Sequence, residues 1–195
     1  MGPSETSNQL DVVRTPAGKD PIPPFLRVEE QLPTDELDWQ IGQLESEVHR
    51  YVGVEPKDFS KAAVRMYKLF RLKGFHEEAT HLRDLFDEPA TILYRVSSLL
   101  HTLQSGPDTE KATIPAEVDE LILTVIQTSG GDKEAAIVAP LLQLRDCINE
   151  EGTLQSDAVG SARDKVIRLV NDFFYDRLTS VPSLRDYIVK LELGM

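Results

Sequence analysis

The chain has 195 residues, of which 41% are hydrophobic and 28% charged, an ordinary composition for a soluble globular protein. Its formal charge of −12 disfavours general binding to nucleic acid, which requires an excess of Lys and Arg on one surface. The same acidity repels anionic membranes, and no apolar run approaches the roughly 20 residues that span a bilayer. We therefore expect that neither nucleic acid nor a membrane is the partner.

A single cysteine, Cys147, rules out an intramolecular disulfide bond. The N-terminus has no positive start followed by an apolar core, which is the pattern of a secretory signal. Both observations predict a cytoplasmic protein. Cys147 itself falls within a helical apolar pattern, which is typical of a small core residue.

The first 33 residues differ from the rest because they contain six prolines among Gly, Ser, Thr and Asn. This composition predicts a flexible N-terminal arm over residues 1–33. Phe25, Leu26 and Val28 are its apolar side chains near the body of the protein. They are expected to dock locally on the folded domain, and docking on a partner is the alternative.

From Thr34 onward, apolar residues recur at steps of three and four, which is the period of one helix face. The pattern predicts an all-α domain over residues 34–193, built as an antiparallel multi-helix bundle or a short helical array. In chain order we expect helices at about 34–53, 58–73, 77–86, 89–105, 115–129, 132–150, 157–178 and 182–191. The clearest is the fourth, where six apolar residues between Thr91 and Gln104 share one face.

Two of these helices carry more specific expectations. In the fifth helix Ile126 is expected to face inward together with Val118, Leu121, Ile122 and Val125. In the sixth helix Pro140 would occupy an interior position, where proline kinks a helix or splits it.

The histidines give only weak indications of catalytic chemistry. His76 and His81 are five residues apart, about 140° around a helix, so they are poorly placed to share a metal ion. Glu78 and His81 form a single Glu-x-x-His, whereas di-iron bundles need two. No glycine-rich phosphate loop, nucleophile elbow or paired cysteine occurs, so no cofactor or metal is expected. An enzyme would require these residues, or His101, to converge with other polar groups in one pocket.

The second helix carries the most suggestive charge pattern. Lys61, Arg65 and Lys68 fall within about 60° of arc on a helix, and Arg71 flanks them. These four residues are the candidate partner-binding site, expected opposite an apolar face of Ala63, Met66, Tyr67 and Phe70. Alternatively, the stripe neutralises the acidic segment 86–160, which contains 4 basic and 13 acidic side chains. Extension of the positive face by Arg83 or residues 163–168 would instead favour a phosphate or nucleic-acid binder.

Phe70, Gly74 and Ala79 have the spacing of the aromatic residue, the turn glycine and the packing alanine of a tetratricopeptide repeat. Over about 30 residues, the second and third helices resemble one such repeat, and no second copy follows at a 34-residue offset. This resemblance implies protein binding and nothing more specific.

These patterns favour a non-enzymatic helical adaptor or regulatory subunit that binds another protein. If the basic stripe is the binding site, the partner has an acidic surface. An enzyme with an unrecognised helical active site and a phosphate or nucleic-acid binder are the two alternatives. The sequence leaves the oligomeric state open.

Overall fold

The computed structural model describes residues 22–29, 31–105, 111–128 and 136–195. Within these ranges every regular element is helical and no β-strand occurs, which confirms the predicted all-α class. A short 3-10 turn, Pro24–Leu26, precedes the eight α-helices of the described ranges. They are α1 (Thr34–Gly53), α2 (Phe59–Leu72), α3 (His76–Leu85), α4 (Glu88–Ser105), α5 (Ile114–Thr128), α6 (Val138–Glu151), α7 (Asp157–Thr179) and α8 (Pro182–Glu192).

The helices form an array in which neighbours along the chain pack together and α7 closes one side. α1 packs on α2 and α2 on α3, and successive contacts connect α4 through α8. The 23-residue α7 also contacts α2, α3 and α4, while α8 returns to contact α1. The buried apolar side chains of all these helices therefore merge into one core.

α2 ends in a left-handed turn at Gly74, whose φ of +78° is readily adopted only by glycine. The Phe75 N–H donates to the Phe70 carbonyl at 2.8 Å, and the Gly74 N–H donates to the Arg71 carbonyl at 3.2 Å. This pair of hydrogen bonds is a Schellman cap, and the Phe70 and Phe75 rings lie 6.0 Å apart beside it. The turn brings α3 onto α2, with Ala79 buried between the helices.

Burial of α2 on nearly every side is the main difference from the expected fold. Ten of its 14 residues are buried, including Ala62, Val64 and Leu69, which flank the basic residues around the helix. α1, α3, α4, α7 and the 3-10 turn all pack on α2, so no broad face remains for solvent. The sequence predicts a basic stripe exposed along its whole length, whereas in the structure Lys61 is only 7% exposed.

The segment around the 3-10 turn lies on the helical body. The Phe25 ring stacks on Tyr94 with 4.5 Å between centroids and makes an edge contact with Phe86 at 5.6 Å. Leu26 is 1% exposed and Val28 packs against the core. Local docking of these apolar side chains is thus confirmed. Residues 1–21, which form most of the predicted flexible arm, lie outside the described residues.

On α5 the inward-facing arc is narrower than the sequence predicts. Ile126 is 51% exposed and Leu123 is 60% exposed, so the inward placement of Ile126 is wrong. Ile126 lies about 80° from Val118 around the helix, at the edge of the arc that α4 and α6 cover. The other expected inward residues, Val118, Leu121, Ile122 and Val125, are all buried.

Pro140 does not interrupt a helix in the described residues. α6 begins at Val138, so Pro140 is its third residue and lies in the first turn. The first-turn N–H groups have no partner within a helix, so proline loses no hydrogen bond there. The expected kink is therefore absent from α6, and residues 129–135, where the longer predicted helix would begin, lie outside the described residues.

Candidate binding sites

The four predicted partner-binding residues of α2 do not share one surface. Arg65 and Lys68 line a groove beside α1, whereas Lys61 lines a separate cleft toward α4 and α7. Arg71 is half-buried on α2 and lines neither. The structure thus unites only the middle two of the predicted residues and assigns Lys61 to different neighbours.

The first site, the Trp39 groove, is a depression of about 380 Å³ between α1, α2 and the segment that follows the 3-10 turn. Trp39 projects from α1 with 64% of its surface exposed, and it is the only tryptophan of the chain. The described residues that line the groove are Arg27, Val28, Glu29, Trp39, Gln40, Gln43, Leu44, Glu47, Arg65, Lys68 and Leu72.

Within the Trp39 groove the cations differ in how they are neutralised. Arg65 donates from Nε to Glu47 Oε2 at 3.0 Å, and its guanidinium also lies 5.5 Å from the Tyr51 ring centroid. Lys68 forms no hydrogen bond or ion pair with any described residue. Burial, and then the positive charge of Arg65, lowers the pKa of Lys68. Lys68 is therefore the groove cation that an acidic group gains most by approaching.

Trp39 is the residue of this groove that the sequence reasoning missed. The buried stripe of α1 follows Leu37, Ile41, Leu44 and Val48, and Trp39 lies about 160° from the middle of that stripe. A large apolar side chain so far from the buried face must meet solvent or another molecule. The helical phase of Trp39 was thus a signal available in the sequence.

The second site, the Lys61 cleft, has a volume of about 860 Å³ and lies between the end of α1, the following loop, α2, α4 and α7. Five permanent cations and three carboxylates are among the described residues that line it, although the whole chain is strongly acidic. The cations are Arg50, Lys57, Lys61, Arg163 and Arg168, and the carboxylates are Glu55, Asp58 and Asp164.

Asn171 of α7 holds one wall of the Lys61 cleft in place. Its Nδ2 donates to the Lys57 carbonyl at 2.7 Å, and its Oδ1 accepts from the Phe59 N–H at 2.9 Å. Asp58 caps the start of α2 by accepting from the Lys61 N–H at 3.0 Å. The loop between α1 and α2 is thus fixed to a helix more than 110 residues away in sequence.

The histidines divide between two parts of the molecule. His101 lines the Lys61 cleft, and burial followed by the charge of Lys61 lowers the pKa of His101. His76, Glu78 and His81 lie on α3 and line neither site, and the Nε2 of His81 lies 3.9 Å from the Oε1 of Glu77. Of the groups named for a possible enzyme, only His101 therefore meets other polar side chains in one of the two sites.

Over the described ranges, no group of three or more His, Cys, Asp or Glu side chains is arranged to hold a metal ion. In the same part of the chain, none of the helices is both long and apolar enough to cross a bilayer. Cys147 is half-buried at the α6–α7 contact and packs against the core.

Comparison of the chain with protein-family models, with curated proteins and with solved structures found no match.

Proposed function

We propose that this chain is a non-enzymatic helical adaptor or regulatory subunit that binds an acidic segment of another protein in the Trp39 groove. The observation that carries the proposal is an exposed tryptophan beside a lysine that has no ion-pair partner among the described residues. A partner would supply both an apolar contact for Trp39 and a carboxylate for Lys68.

Trp39 presents a large apolar ring to solvent that a partner side chain would cover. Tryptophan is among the residues most enriched at the energetic centres of protein interfaces, because it combines a large apolar surface with few rotatable bonds. Leu44, Val28 and Leu72 provide an apolar floor next to it. A partner side chain inserted there would remove the ring and this floor from water together.

Charge in the groove favours an acidic partner segment. Arg27, Lys68 and Glu29 are not engaged in ion pairs with described residues, while Arg65 is already paired with Glu47, so the groove keeps an excess of positive charge. Because Lys68 is half-buried, a carboxylate that reaches it would interact through less water than at an open surface. This asymmetry supports Lys68 rather than Arg65 as the main anchor for charge.

The experiment selects peptides from a display library on the immobilised protein and measures each one by Trp39 fluorescence. Since Trp39 is the only tryptophan, any change in its emission reports on the groove directly. We expect acidic peptides with an apolar residue, and affinity that falls as salt screens the charges. Trp39→Phe, followed by calorimetry, should weaken them less than Trp39→Ala, which should weaken them about 30-fold or more.

Two charge variants separate the groove from general attraction to an acidic peptide. Lys68→Glu should abolish binding, whereas the matched control Lys190→Glu, at an exposed position of α8, should leave it unchanged. Equal effects of the two variants, or selected peptides that leave Trp39 fluorescence unaltered, would refute the groove as the partner site. Duplex DNA and single-stranded RNA, added as competitors, should not displace the peptides.

A cytoplasmic location forms part of the same proposal. Its support is the single, half-buried Cys147, which needs no oxidising compartment. Localisation of a tagged full-length chain by microscopy tests this point independently of binding.

A further inference from the structure

Cations outnumber carboxylates by five to three among the described residues that line the Lys61 cleft. Of its carboxylates, Asp58 is committed to the α2 cap and to Ser60 Oγ at 2.7 Å, and Asp164 pairs with Arg163 at 3.0 Å. Of its cations, Lys57 pairs with Glu192 of α8 at 3.1 Å. The remaining cations are Arg50, Lys61 and Arg168, for which no carboxylate partner exists among the described residues.

Lys61 is the most unusual of these cations. It is 93% buried, since its relative exposure is 7%, yet its ammonium group forms no hydrogen bond or ion pair with any described residue. Lysine side chains are rarely this buried, and the Lys61 Nζ is not among the described buried polar atoms that lack a hydrogen bond, so the ammonium itself opens on the cleft. Lys61 lines the cleft, so a ligand bound there is the group that can complete its coordination.

Cations from separate helices face the same space. Arg50 is on α1, Lys61 on α2 and Arg168 on α7, so cations from three helices line the same cleft. Arginine offers several N–H donors in one plane and lysine offers three around one nitrogen, and both suit an oxyanion with several acceptor oxygens. The Asn171 hydrogen bonds hold the α7 wall against the α1–α2 loop before any ligand arrives.

We propose that the Lys61 cleft binds a phosphate monoester dianion, with Lys61 as its central ligand and Arg50 and Arg168 completing the site. The site is separate from the Trp39 groove and does not depend on the function proposed there. Arg50, Lys61 and Arg168 together offer more N–H donors than the two oxygens of a carboxylate accept, which favours an oxyanion with three terminal oxygens. A bound phosphate group would also neutralise the positive charge of Lys61.

The titration behaviour of the cleft agrees with a site that awaits an anion. Burial lowers the pKa of Lys61, and the charges of Arg65 and Arg50 lower it further against the opposing effect of Asp58. The pKa of His101 is lowered as well, by burial and by the charge of Lys61. Two groups on different helices thus sense the same positive potential.

The cleft is larger than a phosphate group, so the ester has an organic part. A volume of about 860 Å³ is within the range of small-molecule sites, which span roughly 300–1,000 Å³. Tyr51, Val54, Phe59 and Ile167 give the cleft apolar walls next to the cations. The organic part comes either from a free metabolite or from a phosphorylated side chain, and both present the same dianion.

Thermal denaturation of the full chain with inorganic phosphate, against sodium chloride of equal ionic strength, is the first test. At a phosphate concentration twentyfold above its Kd, we expect the melting temperature to rise by about 5 °C. Lys61→Met should reduce this shift to below about 1 °C, and Arg168→Ala, a change at an exposed position, should weaken binding about tenfold. The matched control Lys73→Met, at the other end of α2, should respond like the wild type.

NMR of His101 provides a second readout that does not depend on stability. A bound dianion lowers the positive potential at the ring, so saturating phosphate should raise the pKa of His101 in the wild type and leave it unchanged in Lys61→Met. A melting shift that chloride reproduces, or one that survives in Lys61→Met, would overturn the proposal. So would phosphate binding that fails to move the His101 titration.

The source of the phosphate is decided by calorimetry with a panel of sugar phosphates, mononucleotides and phosphoserine peptides, each beside its unphosphorylated counterpart. Tighter binding of a small ester than of inorganic phosphate, lost in Lys61→Met, would identify a metabolite site. The same result with a phosphopeptide would identify a modified protein. Binding only to RNA, growing with strand length and indifferent to Lys61→Met, would contradict a dianion site.

Discussion

The Trp39 groove and the Lys61 cleft are both lined by side chains of one helix, α2, yet they treat their cations differently. In the groove Arg65 is matched by Glu47, and the distinguishing feature is an exposed aromatic ring. In the cleft Lys61 is only 7% exposed and forms no ion pair with a described residue, and the apolar residues form only the walls. Seven residues along a helix therefore separate the groove proposed to bind a protein segment from the cleft proposed to bind a compact anion.

The largest difference in stability between the two sites is expected for a substitution of Asn171, which supports the cleft and does not line the groove. Asn171→Ala removes two hydrogen bonds, and it strands the Phe59 N–H and the Lys57 carbonyl. We expect the free energy of unfolding in urea to fall by about 2–3 kcal/mol. Trp39→Ala, by contrast, should change it by less than about 0.5 kcal/mol, because the ring is mostly exposed. Similar losses for both variants would show that the two sites are not supported differently.

Lys61→Met tests whether the charge of Lys61 in the cleft lowers the stability of the folded protein. Methionine keeps the apolar length of the side chain and removes the buried charge, so we expect a gain of about 1–2 kcal/mol in urea unfolding. Lys68→Met, in the groove, should alter stability by less than about 0.5 kcal/mol, because that side chain is half-buried. The contrast fails if Lys61→Met destabilises the protein.

The pH dependence of that gain has a definite sign. The pKa of Lys61 is lowered in the folded state, so between that value and about 10.5 the unfolded chain binds more protons. Wild-type stability should therefore rise through this window relative to Lys61→Met, and the advantage of the variant should shrink. Paired urea titrations at pH 7 and at pH 10 measure the change, and an advantage that grows with pH would refute it.

Phe25→Ala tests the wall of the Trp39 groove that is formed by the segment after the 3-10 turn. The Phe25 ring anchors the segment that carries Arg27 and Val28, which form one wall of the groove and no part of the cleft. Loss of its contact with Tyr94 should cost about 1 kcal/mol. Trypsin should then cleave after Arg27 several times faster, while the phosphate response of the cleft stays unchanged. Unaltered cleavage would show that Phe25 does not anchor this wall.

The smallest expected effect concerns His101. Its pKa lies below 6.5 in the folded state, so the unfolded chain takes up the proton first as pH falls. Stability from the neutral ring is present above pH 6.5 and is lost as the solution is acidified through the folded pKa. His101→Gln should reduce this acid sensitivity only slightly, because solvent screens the exposed ring, and urea unfolding at pH 7 and pH 5 measures the change. In Lys61→Met the pKa of His101 should rise, because the charge of Lys61 is one of the causes that lower this pKa.

Local pattern was enough to predict the helices but not the way they cover one another. The periodicity of α4 and the Gly74 turn follow from residues close in sequence, and both agree with the structure. The burial of α2 depends on five elements that surround it, which no single helix pattern records. Ile126 shows the same limit of a local pattern. Its exposure depends on how much of the α5 surface is covered by α4 and α6.

The candidate sites were predictable to different degrees. The basic residues of α2 were visible in the sequence, and residues 163–168 were named as a possible extension toward phosphate binding. Their meeting with Lys61 depends on the packing of α7 against α2, across about 100 residues of chain. Trp39 could have been found from its helical phase alone. The unpartnered state of Lys61 required knowledge of every neighbour, because burial is a property of the assembled fold.

The contact between α1 and α8 also has a consequence for how the molecule comes apart. In an open solenoid, the terminal repeats touch one neighbour only and fray independently of the middle. Here the first and last described helices cover each other, and Lys57 and Glu192 link the loop after α1 to α8 at 3.1 Å. Detaching either helix uncovers the other, so the array gains the all-or-none cooperativity of a closed ring of contacts.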